Sequence, residues 1–294
     1  MKSLSIKQKI YQMIVPRLDG EKIMDKSYVE DIMRLVKEGI GGFILFGGRL
    51  KEVKLFIEML QKIAEIPLLI ASDTERGLGQ QVEGTTFFPC HMAFSAAINR
   101  HDKDDIKILR QAVNAMSSEA VYTGINTLLI PVLDININPD NPIICTRSFG
   151  DDPYVVSWFG KEVIKGIQNK GLIACGKHFP GHGDTGIDSH KDLPVIRKSI
   201  NKLERCELIP FKEAIDSGVE MIMVGHLSIP AIDNLLPASL SKKVVTELLK
   251  ETLCFNGLIL SDALTMDAVS KRFTPLEGPA IYGWDDIDPV RKSV

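Results

Sequence analysis

The 294-residue sequence predicts an α/β fold, a TIM-type (β/α)8 barrel that is incomplete at its C-terminal end. Three observations predict it. Short runs dense in Ile, Val and Leu recur along the chain, amphipathic stretches separate them, and polar residues stand directly at the ends of the runs. The runs lie at 13–18 (the weakest), Gly42–Phe46, 66–72, 127–132, 172–177, 220–225 and Leu258–Ser261. Their nearly continuous apolar character is that of parallel strands covered on both faces.

The helices follow from residues at helical spacing. Val29, Ile32, Met33 and Val36 mark the first, then Val53, Phe56, Ile57 and Leu60, then Ile108, Leu109, Val113 and Met116. Stretches 155–167, 203–215 and 244–253 continue the series, the last with Ser241 placed to cap it. Strand and helix alternate at intervals of roughly 30–45 residues, which implies parallel pairing through right-handed crossovers. An open doubly wound sheet and a closed barrel both satisfy that pattern. No dinucleotide fingerprint follows the early strands, because Gly77-Leu78-Gly79 lacks the third glycine. Asp73, Asp134, Lys177-His178, His226 and Asp262 each follow an apolar run closely, and a barrel gathers such strand ends at one face. After Val269 the chain carries Pro275, Pro279 and Pro289 and no apolar run long enough for a last strand and helix. The expected organisation is one catalytic barrel, residues 1–272, and an irregular tail, residues 273–294.

Composition narrows the function. Thirty-five cationic side chains against 38 anionic ones provide no basic face for a nucleic acid. No apolar run approaches the roughly 18–20 residues of a membrane helix, and residues 1–18 lack the apolar core of a signal peptide. The five cysteines are scattered without a CxxC pair, which fits a reducing, cytoplasmic setting and neither a disulfide framework nor a zinc knuckle.

The densest polar cluster is residues 177–190, Lys-His-Phe-Pro-Gly-His-Gly-Asp-Thr-Gly-Ile-Asp-Ser-His, with three histidines, two aspartates and a lysine after a buried run. Its glycines and Pro180 fold it as a loop rather than a helix. Asp188 and His190 stand two residues apart, close enough for the carboxylate to hold the imidazole in one tautomer, ready to pass a proton near neutral pH. Asp262 ends a buried run, as does Asp73, and Arg147-Ser148-Phe149-Gly150 offers a guanidinium for bidentate bonds to ligand oxygens. A metal held by His178, His182, Asp184 and His190 fits poorly, since Pro180 and the glycines give no helical face to align ligands. No metal and no cofactor are expected.

The motifs Pro131-Val132-Leu133-Asp134, Arg147-Ser148-Phe149-Gly150, the stretch from Lys177 to Thr185, Asp188-Ser189-His190 and Ser261-Asp262-Ala263-Leu264 together resemble glycoside hydrolase family 3, in particular its bacterial β-N-acetylglucosaminidase branch. The resemblance runs from about residue 13 to residue 269. It implies an exo-acting retaining enzyme that releases terminal GlcNAc from cell-wall-derived glycosides during peptidoglycan recycling. Asp262 matches the nucleophile, His190 the acid/base and Asp188 its dyad partner. Asp73, Arg147, Lys177 and His178 match residues that hold the terminal sugar's hydroxyls. Another family 3 glycosidase, for glucosides or xylosides, and a sugar-binding remnant without turnover are the alternatives. After Asp73 the branch usually carries a glutamate, two glycines and a later arginine. Here the stretch reads Glu75-Arg76-Gly77-Leu78-Gly79-Gln80-Gln81. Expected partners are a small carbohydrate, with neither nucleic acid nor membrane, and a second copy covering the open barrel edge.

Overall fold

The computed structural model describes residues 4–186 and 192–271. Its strands are β1 (Arg17–Asp19), β2 (Gly42–Phe46), β3 (Leu69–Ser72), β4 (Thr127–Leu128), β5 (Ile173–Phe179), β6 (Met221–Val224) and β7 (Leu258–Ser261). They are hydrogen-bonded in sequence order, β1 to β7, and every neighbouring pair is parallel. A doubly wound sheet reverses its order at a switch point, and this one does not. The fold is therefore α/β of the (β/α) barrel type, with seven strands among the described residues.

The helices are α1 (Ile6–Gln12), α2 (Lys26–Lys37), α3 (Leu50–Ile63), α4 (His91–Ala97), α5 (Lys103–Thr123), α6 (Pro153–Gln168), α7 (Ile200–Glu204), α8 (Leu208–Asp216) and α9 (Asp267–Ser270). Asp25 starts α2, its side chain accepting from the backbone N–H groups of Ser27 and Tyr28. None of these helices is long and apolar enough to cross a membrane.

The chain divides into two compact units: Met1–Pro89 with Lys103–Ile130 and Gly166–Ala174, and Cys90–Asp102 with Pro131–Lys165 and Cys175–Val294. The first buries Leu18, Phe43, Leu45, Ile70 and Leu128 of its strands together with Ile57, Leu60 and Val113 of its helices. The second buries Phe149, Phe159, Phe179, Phe211, Ile222 and Leu249, with the Phe179 and Phe211 rings edge to face at 5.2 Å.

Several elements depart from the expected bounds, and prolines explain most of them. Pro67 and Pro131 have no N–H to give a ladder, so β3 begins only at Leu69 and regular β4 stops at Leu128. The helix expected over 203–215 is two, α7 and α8, because the Pro210 ring excludes a helical carbonyl at Cys206 and belongs in a first turn. The segment Lys243–Thr252 winds as a π-helix, which the burial of Val244, Val245, Leu248 and Leu249 fits as well as an α-helix. Ser241 does cap it, Oγ accepting from Val244 N at 3.3 Å.

Candidate active site

Parallel strands present their C-terminal ends on one side, and the second unit concentrates its polar groups there. Asp134 follows the stretch in which Lys177 N donates to Pro131 O and Leu133 N to Lys177 O, at 3.1 and 2.6 Å. Its carboxylate is fully buried. Oδ2 accepts from His178 Nδ1 at 2.7 Å and from His178 N at 3.2 Å, and Oδ1 from His182 N at 2.6 Å. Burial by itself would raise this carboxyl. The His178 ring, through its charge and hydrogen bond, and His182 outweigh burial and hold the pKa below the ordinary value.

His178 owes its aim to an irregularity in β5. Lys177 pairs with Met223 and Phe179 with Val224, so His178 is an extra residue in the ladder. Such a bulge redirects a side chain out of the strand's alternation. The Lys177–His178 and Phe179–Pro180 peptide bonds are both cis. With Nδ1 on Asp134, the ring turns Nε2 toward Arg147, whose Nη2 lies 3.4 Å away.

Each residue of the arginine motif has a separate task. Asn141 accepts from the Ile143 and Ile144 N–H groups and so starts the turn that carries Arg147. Ser148 Oγ donates to Asp134 O at 2.6 Å. Phe149 is sandwiched between His91 and Phe159, with ring centroids at 4.3 and 4.9 Å. Arg147 is thereby left projecting beside His178. In the histidine-rich loop, Gly183 lies so close to residue 135 that a Cβ would sit 1.7 Å from Ile135 O, a place only glycine fills.

Asp262 continues the β7 ladder, its N donating to Val224 O at 3.0 Å, while Oδ1 accepts from Ala263 N at 2.8 Å. Burial pushes this carboxyl up, but His178, His226, the Ala263 N–H and Lys177 together hold it below the usual carboxylate range. Asp262 is thus held as the anion by the groups around it. His226 is completely buried. Its Nε2 donates to Ala263 O at 3.0 Å, so Nδ1 accepts from Ser239 Oγ at 2.6 Å and the ring is neutral. Burial lowers its pKa accordingly. That bond fixes the peptide next to the Asp262 carboxylate.

Arg147, Lys177, His178 and Asp262 are all in the second unit; His178 contacts both Asp134 and Arg147, and His178 and Lys177 act electrostatically on Asp262. Asp73 directly follows β3 in the first unit and is half-buried. Asp188 and His190 lie outside the described residues. Arg76, in the stretch after Asp73, is exposed and stacks its guanidinium over the Phe87 ring at 4.6 Å. Two positioning residues carried no assigned role in the sequence, Asp134 and His226. Their position immediately after an apolar run was the signal, but only burial shows which strand-end groups hold the others.

The model described as the glycosyl hydrolase family 3 N terminal domain matches residues 5–280. Beta-hexosaminidase A of Pseudoalteromonas piscicida is 34% identical over 260 residues, covering 81% of this chain and 43% of that protein. A beta-hexosaminidase of Thiobacillus denitrificans is 32% identical over 241 residues, covering 81% and 67%. The solved structure of a family 3 beta-N-acetylglucosaminidase from a Paenibacillus species superposes with a TM-score of 0.87 at 37% identity, covering 95% of this chain and 53% of that one. The chain thus spans under half of the first relative and about half of the solved structure. From the match of its motifs, its parallel sheet and most of its length, the chain belongs to glycosyl hydrolase family 3.

Proposed function

We propose that this chain is an exo-acting, retaining β-N-acetylglucosaminidase that removes terminal GlcNAc from cell-wall-derived glycosides in peptidoglycan recycling. The observation that carries the reading is Asp262, an ionised carboxylate at a strand end with Lys177, His178 and His226 around it. The relatives' names, beta-hexosaminidase and beta-N-acetylglucosaminidase, support the sugar. In the first step Asp262 attacks the anomeric carbon, the bond to the leaving oxygen breaks, and that oxygen takes a proton from His190. In the second step water, deprotonated by His190, displaces Asp262 and restores the configuration. Asp188 holds the His190 ring, and its unperturbed pKa of about 6.5 already suits both roles. Arg147, Lys177, His178 and Asp73 bind the sugar hydroxyls, by charge-assisted hydrogen bonds.

We further assign the catalytic barrel to residues 1–272 and the irregular tail to 273–294. A cytoplasmic setting is supported by the five free cysteines. Pairing with a second copy along β7 is supported by Leu258, which stands 49% exposed on one of the two outermost strands of the described sheet.

A fluorinated GlcNAc analogue that traps the glycosyl-enzyme tests the reading by intact-protein and peptide mass spectrometry. One covalent sugar on Asp262 is the expected result. Labelling only by the glucose analogue would transfer the reading to a glucosidase. No adduct with either sugar, despite binding, would leave a carbohydrate-binding remnant. Asp134→Asn tests how the sugar-binding ring is held. Losing a charge-assisted acceptor for His178 Nδ1–H costs about 1.5–3 kcal/mol, so kcat/KM should fall roughly 10- to 100-fold. An unchanged kcat/KM would remove Asp134 from the site.

A further inference from the structure

Arg147 is held at its backbone by a histidine from a distant part of the sequence, one that takes no step in the chemistry above. His91 opens α4 and is the one buried side chain of that helix. Its apolar neighbours Met92, Ala93 and Phe94 are less buried than the imidazole, so a polar partner rather than a core accounts for its place. His91 Nδ1 lies 2.8 Å from Arg147 O. A carbonyl only accepts, so Nδ1 carries the proton and donates it. The His91 ring lies flat on Phe149, with 4.3 Å between centroids and 8° between planes. Phe149 lies as flat on Phe159, at 4.9 Å and 7°. Phe159 belongs to α6 and is buried, which anchors the column of rings in the core of the second unit.

The turn that carries Arg147 needs such a restraint. Cys145 stands at φ +43°, a left-handed conformation that a residue with a Cβ keeps only where its surroundings impose it. Asn141 imposes the start of the turn through the Ile143 and Ile144 N–H groups, and Arg147 N closes it on Ile144 O at 2.8 Å. The exit is the Arg147–Ser148 peptide, and its carbonyl is the one that His91 holds. From there the long side chain leaves, Nη1 donating to Ile143 O at 3.2 Å and Nη2 reaching to 3.4 Å from His178 Nε2. A small rotation of the exit peptide is carried along that side chain to the guanidinium. Misplacing a binding group by about 1 Å can cost on the order of 100-fold in rate.

We propose that His91 is a positioning residue for Arg147: its Nδ1–H fixes the Arg147 carbonyl and so aims the guanidinium at the sugar. The inference rests on the reading of Arg147 as a sugar-binding group. It makes a claim that packing alone does not, because what matters at position 91 is a hydrogen-bond donor, and it matters only while Arg147 is present.

The test is a double-mutant cycle read as kcat/KM on nitrophenyl β-GlcNAc. His91→Phe keeps a flat ring for Phe149 and removes the donor. It should lower kcat/KM about 10-fold, chiefly by raising KM, whereas a damaged fold lowers the active fraction and with it kcat. His91→Asn places its Nδ2 close to where Nδ1 stands and should stay within about threefold of the unmodified chain. Arg147→Ala alone should lose on the order of 100-fold, and adding His91→Phe to it should cost less than about twofold more. His91→Leu matches His91→Asn in shape without the donor, and it repeats the contrast should His91→Phe lower the melting temperature. Equal rates for His91→Asn and His91→Leu, no loss from His91→Phe, or its full loss in the Arg147→Ala background would overturn the proposal. An Arg147→Ala variant as active as the unmodified chain would instead remove Arg147 from the sugar site, and the role of His91 with it.

Discussion

Asp262→Ala is expected to lower kcat by on the order of 10⁴-fold or more, since the double displacement loses the atom that attacks the anomeric carbon. The fold should survive the change. Oδ1 accepts only a local bond from Ala263 N, and the β7 ladder runs through the backbone of residue 262, which alanine keeps. Melting temperatures of the two proteins should therefore agree within a few degrees. The cavity left by the carboxylate also permits a positive control. Azide is a small anion that can attack the sugar from the face Asp262 occupied, and it should restore turnover of dinitrophenyl β-GlcNAc with an α-glycosyl azide as product. Full activity in the alanine variant would reject Asp262 as nucleophile. Inactivity together with a lowered melting temperature would indicate damage rather than lost chemistry.

Strands were legible from the sequence wherever nothing interrupts the apolar run. Gly42–Phe46 and Leu258–Ser261 appear at their expected bounds, the first because a largely buried apolar strand has little else it can be, the second although it lies at the edge with Leu258 exposed. Failures came where periodicity and backbone chemistry conflict. Leu203, Leu208 and Phe211 keep helical spacing across a real break, and Pro210 was the residue that forbade continuity. Ten residues cannot distinguish a 3.6 period from the wider π winding, so Lys243–Thr252 carried no such signal. At the site, composition pointed to the loop at 177–190, and the structure shows Lys177, His178 and His182 of it buried. What the sequence could not supply was the division of labour among histidines. His178 donates to a carboxylate, His226 to a carbonyl, and His182 Nε2 has no partner among the described residues; three identical side chains differ only in surroundings.

Those surroundings give His182 a measurable thermodynamic signature. Its side chain is almost fully buried, and burial lowers its pKa to about 4 against the pull of Asp134. The folded protein thus keeps the ring neutral through a range in which the unfolded chain, near 6.5, is already protonated. Acid therefore favours unfolding, and the contribution present above pH 6.5 is lost as pH falls towards 4. That separation corresponds to about 3 kcal/mol across the window. His226 shifts in the same direction and adds to the slope. Asp134 and Asp262, both held below the ordinary carboxylate value, withdraw their contribution only in stronger acid. Urea unfolding measured from pH 7.5 to 4 should show stability falling steeply below pH 6.5 in the unmodified protein. His182→Gln has no proton to take up, so its curve should fall less steeply while starting lower, having lost the 2.7 Å contact of Nδ1 with Thr185 Oγ1. Parallel curves would mean that His182 is protonated in the folded protein, and Asp134 would then be compensating a buried cation rather than orienting His178.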